Sequence, residues 1–83
     1  MKIYILTITD LRDYGYQCKD VEVFTDEPSA TERMTELYLN AFKECYGDSD
    51  ADPFEENVMD YQLTGRYAYV FGEYYFDIFE KEV

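Results

Sequence analysis

The first apolar residues of the chain alternate as they do in β-strands. Residues 2–10 contain two alternating sets, both largely apolar: Ile3, Ile5 and Thr7 on one side, and Tyr4, Leu6 and Ile8 on the other. Apolar side chains on both sides are typical of a strand that is central in its sheet or covered on both faces. After a turn region containing Gly15, residues 19–25 form a shorter β-type segment. The two segments predict an antiparallel β-hairpin.

A helical pattern follows the hairpin, and two sets of residues could start it. Asp26 or Thr25 can accept hydrogen bonds from the first free backbone amides, and Pro28 is tolerated in a first turn. Ser29 and Glu32 also have the spacing of a capping box. The sequence therefore predicts a helix whose start is defined to within about three residues.

The predicted helix has one apolar face. Helical spacing places a set of apolar side chains toward the core: Ala30, Met34, Leu37, Tyr38, Ala41, Phe42 and Cys45. Gly47 is placed to end the helix in a left-handed conformation. Leu39 and Tyr46 lie on the opposite side, two turns apart, and an aligned apolar pair of this kind indicates an interface.

The C-terminal third of the chain has β-type patterns. Residues 58–64 form an alternating segment whose predicted inward side comprises Met59, Tyr61 and Leu63. After a turn at residues 64–66, residues 67–83 are a long β-type tail that is interrupted at Gly72, which marks a bulge or a second turn. We therefore predict an α+β fold: a small antiparallel sheet of four or five strands, in the order β-β-α-β-β, with one helix packed on one face.

The length of the chain, 83 residues, is that of one small domain spanning residues 1–83. A folded chain of this size exposes roughly 5,200 Å² and buries about 64% of the surface of the unfolded chain, which suffices for a single thin core. With 47% apolar and 19% aromatic residues, the chain is not compositionally disordered. Its ten tyrosines suit half-buried surfaces and interfaces.

The net charge of the chain limits the classes of molecule that it can bind. Nineteen acidic residues face seven basic ones, which gives a net charge of −12 at pH 7. This argues against direct binding to nucleic acid, which needs basic contacts to phosphates, and against binding to an anionic membrane. A basic protein is the complementary partner. The alternative is that the acidity only keeps a small protein in solution.

The sequence indicates a cytoplasmic protein. Its first residues form a short apolar run with early Thr and Asp residues and no small-residue cleavage site, unlike a signal peptide. No stretch approaches the ~20 apolar residues of a membrane span. Cys18 and Cys45 are accordingly expected as free thiols, with a disulfide between them as the alternative.

The residue inventory argues against catalysis and against a bound cofactor. The chain contains no histidine, which is the commonest general base and the usual partner of a nucleophilic Ser or Cys. No phosphate loop, dinucleotide fingerprint or nucleophile elbow is present. Two cysteines without a histidine cannot supply a structural zinc site. An enzyme would need a pocket in which two carboxylates converge.

The stretch YGDSDADPFEEN, residues 46–57, partly matches a calcium-binding loop. Asp48, Asp50 and Asp52 fit the first three side-chain ligand positions. However, Pro53 stands where the sharp turn requires glycine, and Met59 stands where a bidentate glutamate is needed. Because the two most demanding positions fail, the run indicates at most weak divalent binding.

The same acidic run is compatible with imitation of nucleic acid. Duplex DNA presents about one charge per 100 Å², whereas twelve net charges over the estimated surface give about one per 430 Å². Mimicry therefore requires the acids to cluster. The sequence contains such a cluster of seven acids in seventeen residues: Glu44, Asp48, Asp50, Asp52, Glu55, Glu56 and Asp60. An extended segment would align its first three aspartates as a phosphate-like row.

A second acidic group surrounds the first hairpin and is diluted by Arg12 and Lys19. Its members are Asp10, Asp13, Asp20 and Glu22. Tyrosines interleaved with the acids would add apolar contact area to a binding surface: Tyr14, Tyr16, Tyr46 and Tyr61. Whether the two acidic groups share a face is left open by the sequence. The alternative for the longer run is an ordinary solvated loop.

The opening of the chain, KIYILTITDLRDYGY…VEVFTDEPSATERM, resembles small acidic proteins of phages and mobile elements of the anti-CRISPR or anti-restriction type. The resemblance lies in a β-hairpin followed by a capped helix and covers about half of the chain. It contains no catalytic or binding motif, so it carries over no functional residue. Since several such inhibitors imitate nucleic acid, the resemblance implies an anti-defence role.

Two hypotheses follow. The first is an acidic cytoplasmic inhibitor, encoded by a phage, that blocks a basic nucleic-acid-binding effector with a phosphate-like carboxylate surface. The second is a non-catalytic structural or scaffolding module that forms a homodimer through its Tyr-rich strands or through the Leu39 and Tyr46 side of the helix. Because a net charge of −12 repels a second copy, any dimer contact should be apolar and low in acids.

Overall fold

A computed structural model describes residues 1–12, 17–47 and 49–83, with the backbone alone for residues 17–19. Five residues on which predictions were made lie outside the described part of the chain: Asp13, Tyr14, Gly15, Tyr16 and Asp48.

The described residues form five strands and one helix. In chain order they are β1 (Lys2–Asp10), β2 (Gln17–Phe24), α1 (Glu27–Tyr46), β3 (Tyr61–Leu63), β4 (Tyr67–Val70) and β5 (Tyr74–Glu82). The strands build one antiparallel sheet in the order β2-β1-β5-β4-β3, and α1 packs on one face of it. The predicted α+β fold is confirmed, with the larger of the two strand numbers.

The core lies between α1 and one face of the sheet. Alternation along the strands turns Leu6, Phe76 and Ile78 toward the helix, where they are buried. The helix contributes buried side chains that the sequence had placed there: Ala30, Met34, Tyr38, Ala41 and Phe42. Leu37 packs against this core from a half-buried position.

The last turn of α1 differs from the prediction. Cys45 was expected in the core but is exposed. Tyr46 packs inward instead, with its ring centroid 4.9 Å from Phe42 and 5.3 Å from Tyr61. Leu39 is also partly buried against the core, so the predicted exposed pair of Leu39 and Tyr46 is wrong. Both residues are half-buried, so they do not form the exposed apolar pair on which the predicted dimer contact of this side of the helix was based.

The first turn of α1 is capped by Asp26, as predicted. Asp26 is extended, and its carboxylate accepts hydrogen bonds at 2.9 Å from the backbone amide and the hydroxyl of Ser29. At the other end, the predicted left-handed Gly47 is wrong, because its φ of −56° and ψ of −30° are right-handed. A Cβ at this position would lie 2.5 Å from the carbonyl oxygen of Lys43, so the close approach of that oxygen is what favours glycine.

The segment before β3 is shorter in β-structure than predicted. The strand spans only Tyr61–Leu63, and Met59 is 87% exposed rather than inward. The preceding chain turns at Asn57, whose φ is 65°. Further on, Gly72 has a φ of 75° in the connection between β4 and β5. Of the two alternatives predicted for Gly72, the second turn is therefore the one observed.

Candidate acidic interaction site

The acidic loop, defined as residues 50–60, connects the end of α1 to β3. The hydroxyl of Tyr38 donates a hydrogen bond of 2.7 Å to the carbonyl oxygen of Pro53, near the middle of the loop. Ala51 and Val58 pack against the core on either side of this bond. The loop is therefore held against the helix by one partly buried hydrogen bond and two apolar contacts.

The predicted row of aspartates is described only in part, because Asp48 lies outside the described residues; Asp50 and Asp52 lie between two turns. The backbone amide of Ser49 bonds the carbonyl oxygen of Tyr46 at 3.0 Å, and that of Glu55 bonds the carbonyl oxygen of Asp52 at 3.2 Å. Turns therefore lie on both sides of residues 50–52. The Asp52 carboxylate accepts a hydrogen bond from the Phe54 amide at 2.9 Å, so it also has a local structural role.

The carboxylates of the acidic loop are exposed. Its members are Asp50, Asp52, Glu55, Glu56 and Asp60. Within the described part of the chain, none of these five forms an ion pair. The ion pairs found there join other acids to the N-terminus, Lys2, Arg12, Arg33 and Arg66. The negative charge of the loop is thus not neutralised by a contacting base.

Several of these carboxylates surround a cluster of aromatic rings formed by Tyr38, Phe42, Tyr46 and Tyr61. Burial raises the pKa of Tyr61, and the negative charges of Glu55, Asp52 and Asp60 raise it further. Burial likewise raises the pKa of Tyr46, with contributions from Asp60 and Glu73 among others. Acids that are distant in sequence therefore act on the same rings.

Glu73 lies outside the acidic loop, but its charge acts on the same region, and it was not predicted from the sequence. Desolvation raises the pKa of the Cys45 thiol, and the charges of Glu73 and Glu44 raise it further, against an opposing effect of Arg12. The charges of Glu44, in the last turn of α1, and of Glu73, in the turn before β5, thus both act on the Cys45 thiol. The sequence carried no signal for this position, since it depends on the pairing of β5 with β1, which brings the β4–β5 turn to the end where β1 terminates.

Two apolar side chains of the acidic loop were also missed as binding candidates. Phe54 is 58% exposed, and Met59 is the most exposed of the large apolar side chains that the structure describes. Both lie between carboxylates of the loop in sequence. The tyrosines predicted to provide apolar contact, Tyr46 and Tyr61, instead pack into the aromatic cluster, half-buried and buried respectively. The exposed large apolar side chains of the acidic loop are thus Phe54 and Met59.

The acids of the first hairpin do not join the acidic loop. Asp10 is buried and binds Arg12 through both carboxylate oxygens, at 3.1 and 3.0 Å. Glu22 binds Arg33 of the helix at 3.0 Å. Asp20 is exposed on β2, at the opposite edge of the sheet from β3. Four strand spacings separate these edges, which is about 19 Å. Of the acids predicted at the first hairpin, Asp10 and Glu22 are thus paired with arginines and Asp20 lies at the edge opposite β3, while Asp13 lies outside the described residues.

The described residues contain no group of three or more Cys, Asp or Glu side chains that could hold a metal ion. A small cavity of ≈140 Å³ between α1 and the sheet includes one carboxylate, Glu44, among its lining residues. The only helix in the described part of the chain, α1, is not long and apolar enough to cross a membrane. Cys45 is a free thiol.

Comparisons with protein-family models, with curated protein sequences and with solved structures returned no match to this chain. The functional argument therefore rests on the fold and on the charges, contacts and exposed side chains of the acidic loop.

Proposed function

We propose that this chain is a non-catalytic inhibitor that binds the nucleic-acid site of a basic protein through its acidic loop. The observation that carries the proposal is the concentration of exposed carboxylates at residues 50–60 that have no ion-pair partner among the described residues. Such a surface complements the lysine and arginine side chains that bind phosphates. An anti-defence role in a phage is the biological setting that we propose for it.

Charge density supports imitation of nucleic acid by the loop rather than by the whole surface. The described residues expose 5682 Å², so a net charge of −12 corresponds to about one charge per 470 Å². If each residue of the loop has the mean exposed area of the chain, the five carboxylates of the loop give about one charge per 150 Å². Duplex DNA has about one per 100 Å². Because the loop residues are more exposed than the mean residue, the loop is less dense in charge than DNA, but it is denser than the whole surface.

Exposed apolar side chains give the loop a further source of affinity. Phosphate-like charges alone give weak, salt-sensitive contacts. Phe54 and Met59 add large side chains that a partner can desolvate, which is the property of residues that dominate binding energy. Binding through both kinds of contact would favour a protein partner with a basic surface that also contains apolar pockets.

The experiment is competition with DNA for a nuclease of a bacterial defence system. The probes are a Cas9-type nuclease loaded with its guide RNA and a restriction endonuclease. We expect the chain to displace DNA, with an affinity that falls steeply between about 50 and 500 mM salt. Replacement of Asp48, Asp50 and Asp52 by lysine should abolish displacement.

A matched control changes the charge equally at another surface. Replacement of Glu32, Glu36 and Glu82 by lysine alters three exposed acids outside the loop and should leave displacement within a few-fold of the original. Inhibition that does not respond to salt, DNA that stays bound in a ternary complex, or equal loss in the control would contradict the proposal.

A further inference from the structure

The sheet face opposite α1, here called the open face, is not covered by any element in the described part of the chain. Its side chains alternate with those of the core along each strand. Val23 is 59% exposed on this face, Phe79 and Val21 are each 52% exposed, and Tyr75 is 38% exposed. An apolar surface of this kind, contiguous across neighbouring strands, marks an interaction site.

The strand register places two of these side chains, Val23 and Phe79, in one row with Ile5. Ile5 of β1 pairs with Val23 of β2 on one side and with Phe79 of β5 on the other. β1 is central in the sheet, yet its Ile3, Ile5 and Thr7 side faces away from the helix. The apolar pattern on both sides of β1 thus includes one side, that of Ile3, Ile5 and Thr7, which no element of the described chain covers.

The open face is nearly free of charge in a strongly acidic protein. Among the described side chains of the strands, one acid and one base lie on the open face. They are Asp77 and Lys81, on either side of Phe79 in β5. Their charges cancel, whereas the whole chain carries −12. A basic partner would find no complementary surface here, but a second copy would meet no net repulsion.

We propose that a second copy of this chain docks on the open face, with a two-fold axis beside Phe79. Asp77 and Lys81 lie two residues to either side of Phe79, each about 7 Å away along the strand. A two-fold rotation about that axis places Asp77 against Lys81 of the second copy, and Lys81 against its Asp77. The face is therefore self-complementary, as an isologous dimer contact must be.

The area of the open face is sufficient for a specific dimer. Nine-residue strands such as β1 and β5 span about 30 Å, and the five strands cover about 20 Å in width. Since the edge strands are shorter, each copy offers roughly 500–600 Å² of face, so two copies bury at least about 1,000 Å². Two such sheets would pack about 10 Å apart, as in a β-sandwich.

The arrangement also keeps the acidic loops apart. The loop packs on the helix side of the sheet, through the Tyr38 bond to Pro53. The dimer contact lies on the other side, so the two loops face outward and their mutual repulsion is screened. Burial raises the pKa of Asp77 within one chain, and a lysine from the second copy would supply the opposite charge that favours the ionised form.

The experiment is sedimentation equilibrium of the full chain at micromolar concentrations. The original protein should sediment at twice its 9.9 kDa mass. Asp77→Lys and Lys81→Glu should each weaken the dimer by about tenfold or more, since each places like charges in contact twice. An equimolar mixture of the two variants should restore dimers, because the mixed pair regains both opposite-charge contacts. Recovery in the mixture also shows that each variant folds.

Two controls make the same charge changes elsewhere. Glu32→Lys matches Asp77→Lys, and Lys43→Glu matches Lys81→Glu, both at exposed positions of α1. Neither should change the dimer by more than about twofold. A monomer throughout the concentration range overturns the proposal. A dimer that both open-face variants leave intact, or a mixture without recovery, overturns it as well.

Discussion

Tyr38 lies in the middle of α1 and donates its hydroxyl hydrogen to the carbonyl oxygen of Pro53, 2.7 Å away. Its side chain is fully buried, so the bond joins the hydrophobic core to the acidic loop. Leaving a buried carbonyl oxygen without a donor destabilises the folded state by more than a hydrogen bond stabilises it in net terms. The position of the proposed binding surface therefore depends on one core residue.

Tyr38→Phe should destabilise the fold by about 1–3 kcal/mol, because it leaves the Pro53 carbonyl oxygen without this donor. The ring packing against Phe42 is retained, so the loss reports on the hydroxyl. Urea denaturation followed by circular dichroism measures the change. Tyr75→Phe is the control, at a partly exposed tyrosine on the open face, and should change stability by less than about 0.5 kcal/mol. Equal effects of the two variants would contradict this role of Tyr38.

Alkaline pH should destabilise the protein through the same residue. Burial, together with nearby tyrosines and Asp52, raises the pKa of Tyr38 from 10.0 to about 12. The folded state therefore holds this proton more tightly than the unfolded state does. The resulting stabilisation is complete below pH 10.0 and is lost as the pH rises toward about 12.

The measurement compares urea midpoints of the original protein and Tyr38→Phe as the pH rises from about 9 to 11.5. The original should lose stability more steeply than the variant. Some slope should remain in the variant, since the pKa values of Tyr46, Tyr61 and Tyr75 are also raised. If the urea midpoints of the two proteins fall in parallel with pH, the pKa of Tyr38 is the same in the folded and unfolded states, which contradicts the prediction.

The sequence predicted the elements of the fold because their signals are local. Period and capping are properties of neighbouring residues, so the helix and its Asp26 cap were recognisable without tertiary contacts. The errors at the helix end depend on distant residues. Tyr46 turns inward because Phe42 and Tyr61 form a ring cluster, and Tyr61 is supplied by β3. No pattern within the helix contains that information.

The candidate site was predicted in part for a similar reason. A run of carboxylates is visible in sequence, so the acidic loop was found from its composition. Its conformation depends on turns and on the bond from Tyr38, neither of which is visible in the composition of the run. The position of Glu73 beside Cys45 follows from the sheet order, which the sequence had left open.

Gly72 should be more sensitive to substitution than Gly65, although both lie in turns of the C-terminal sheet. Gly72 has a φ of 75°, which an alanine adopts only with strain, while a Cβ would meet nothing within 4 Å at either position. Gly72→Ala should therefore destabilise by about 1 kcal/mol. Gly65→Ala should be neutral or slightly stabilising. Urea midpoints measure both, and equal costs would contradict a strain-based explanation.

The thiol of Cys45 should report the acids that converge at the end of α1. Desolvation and the charges of Glu73 and Glu44 raise its pKa, which lowers the thiolate fraction at neutral pH. Glu73→Gln removes one of these charges and should speed the reaction of Cys45 with Ellman's reagent by about two- to threefold near pH 7.5. The assay uses a Cys18→Ser background, so that one thiol reacts.

Glu32→Gln is the control for this prediction, because it removes one acid from an exposed position about three and a half turns before Cys45 in the same helix. It should leave the rate unchanged within experimental error, since screening weakens a charge at that distance. The acceleration by Glu73→Gln should also shrink as salt is added, because part of it is electrostatic. If both variants react at the rate of the parent, Glu73 does not lie beside the thiol, and the acidic surface does not extend from the loop to the β4–β5 turn.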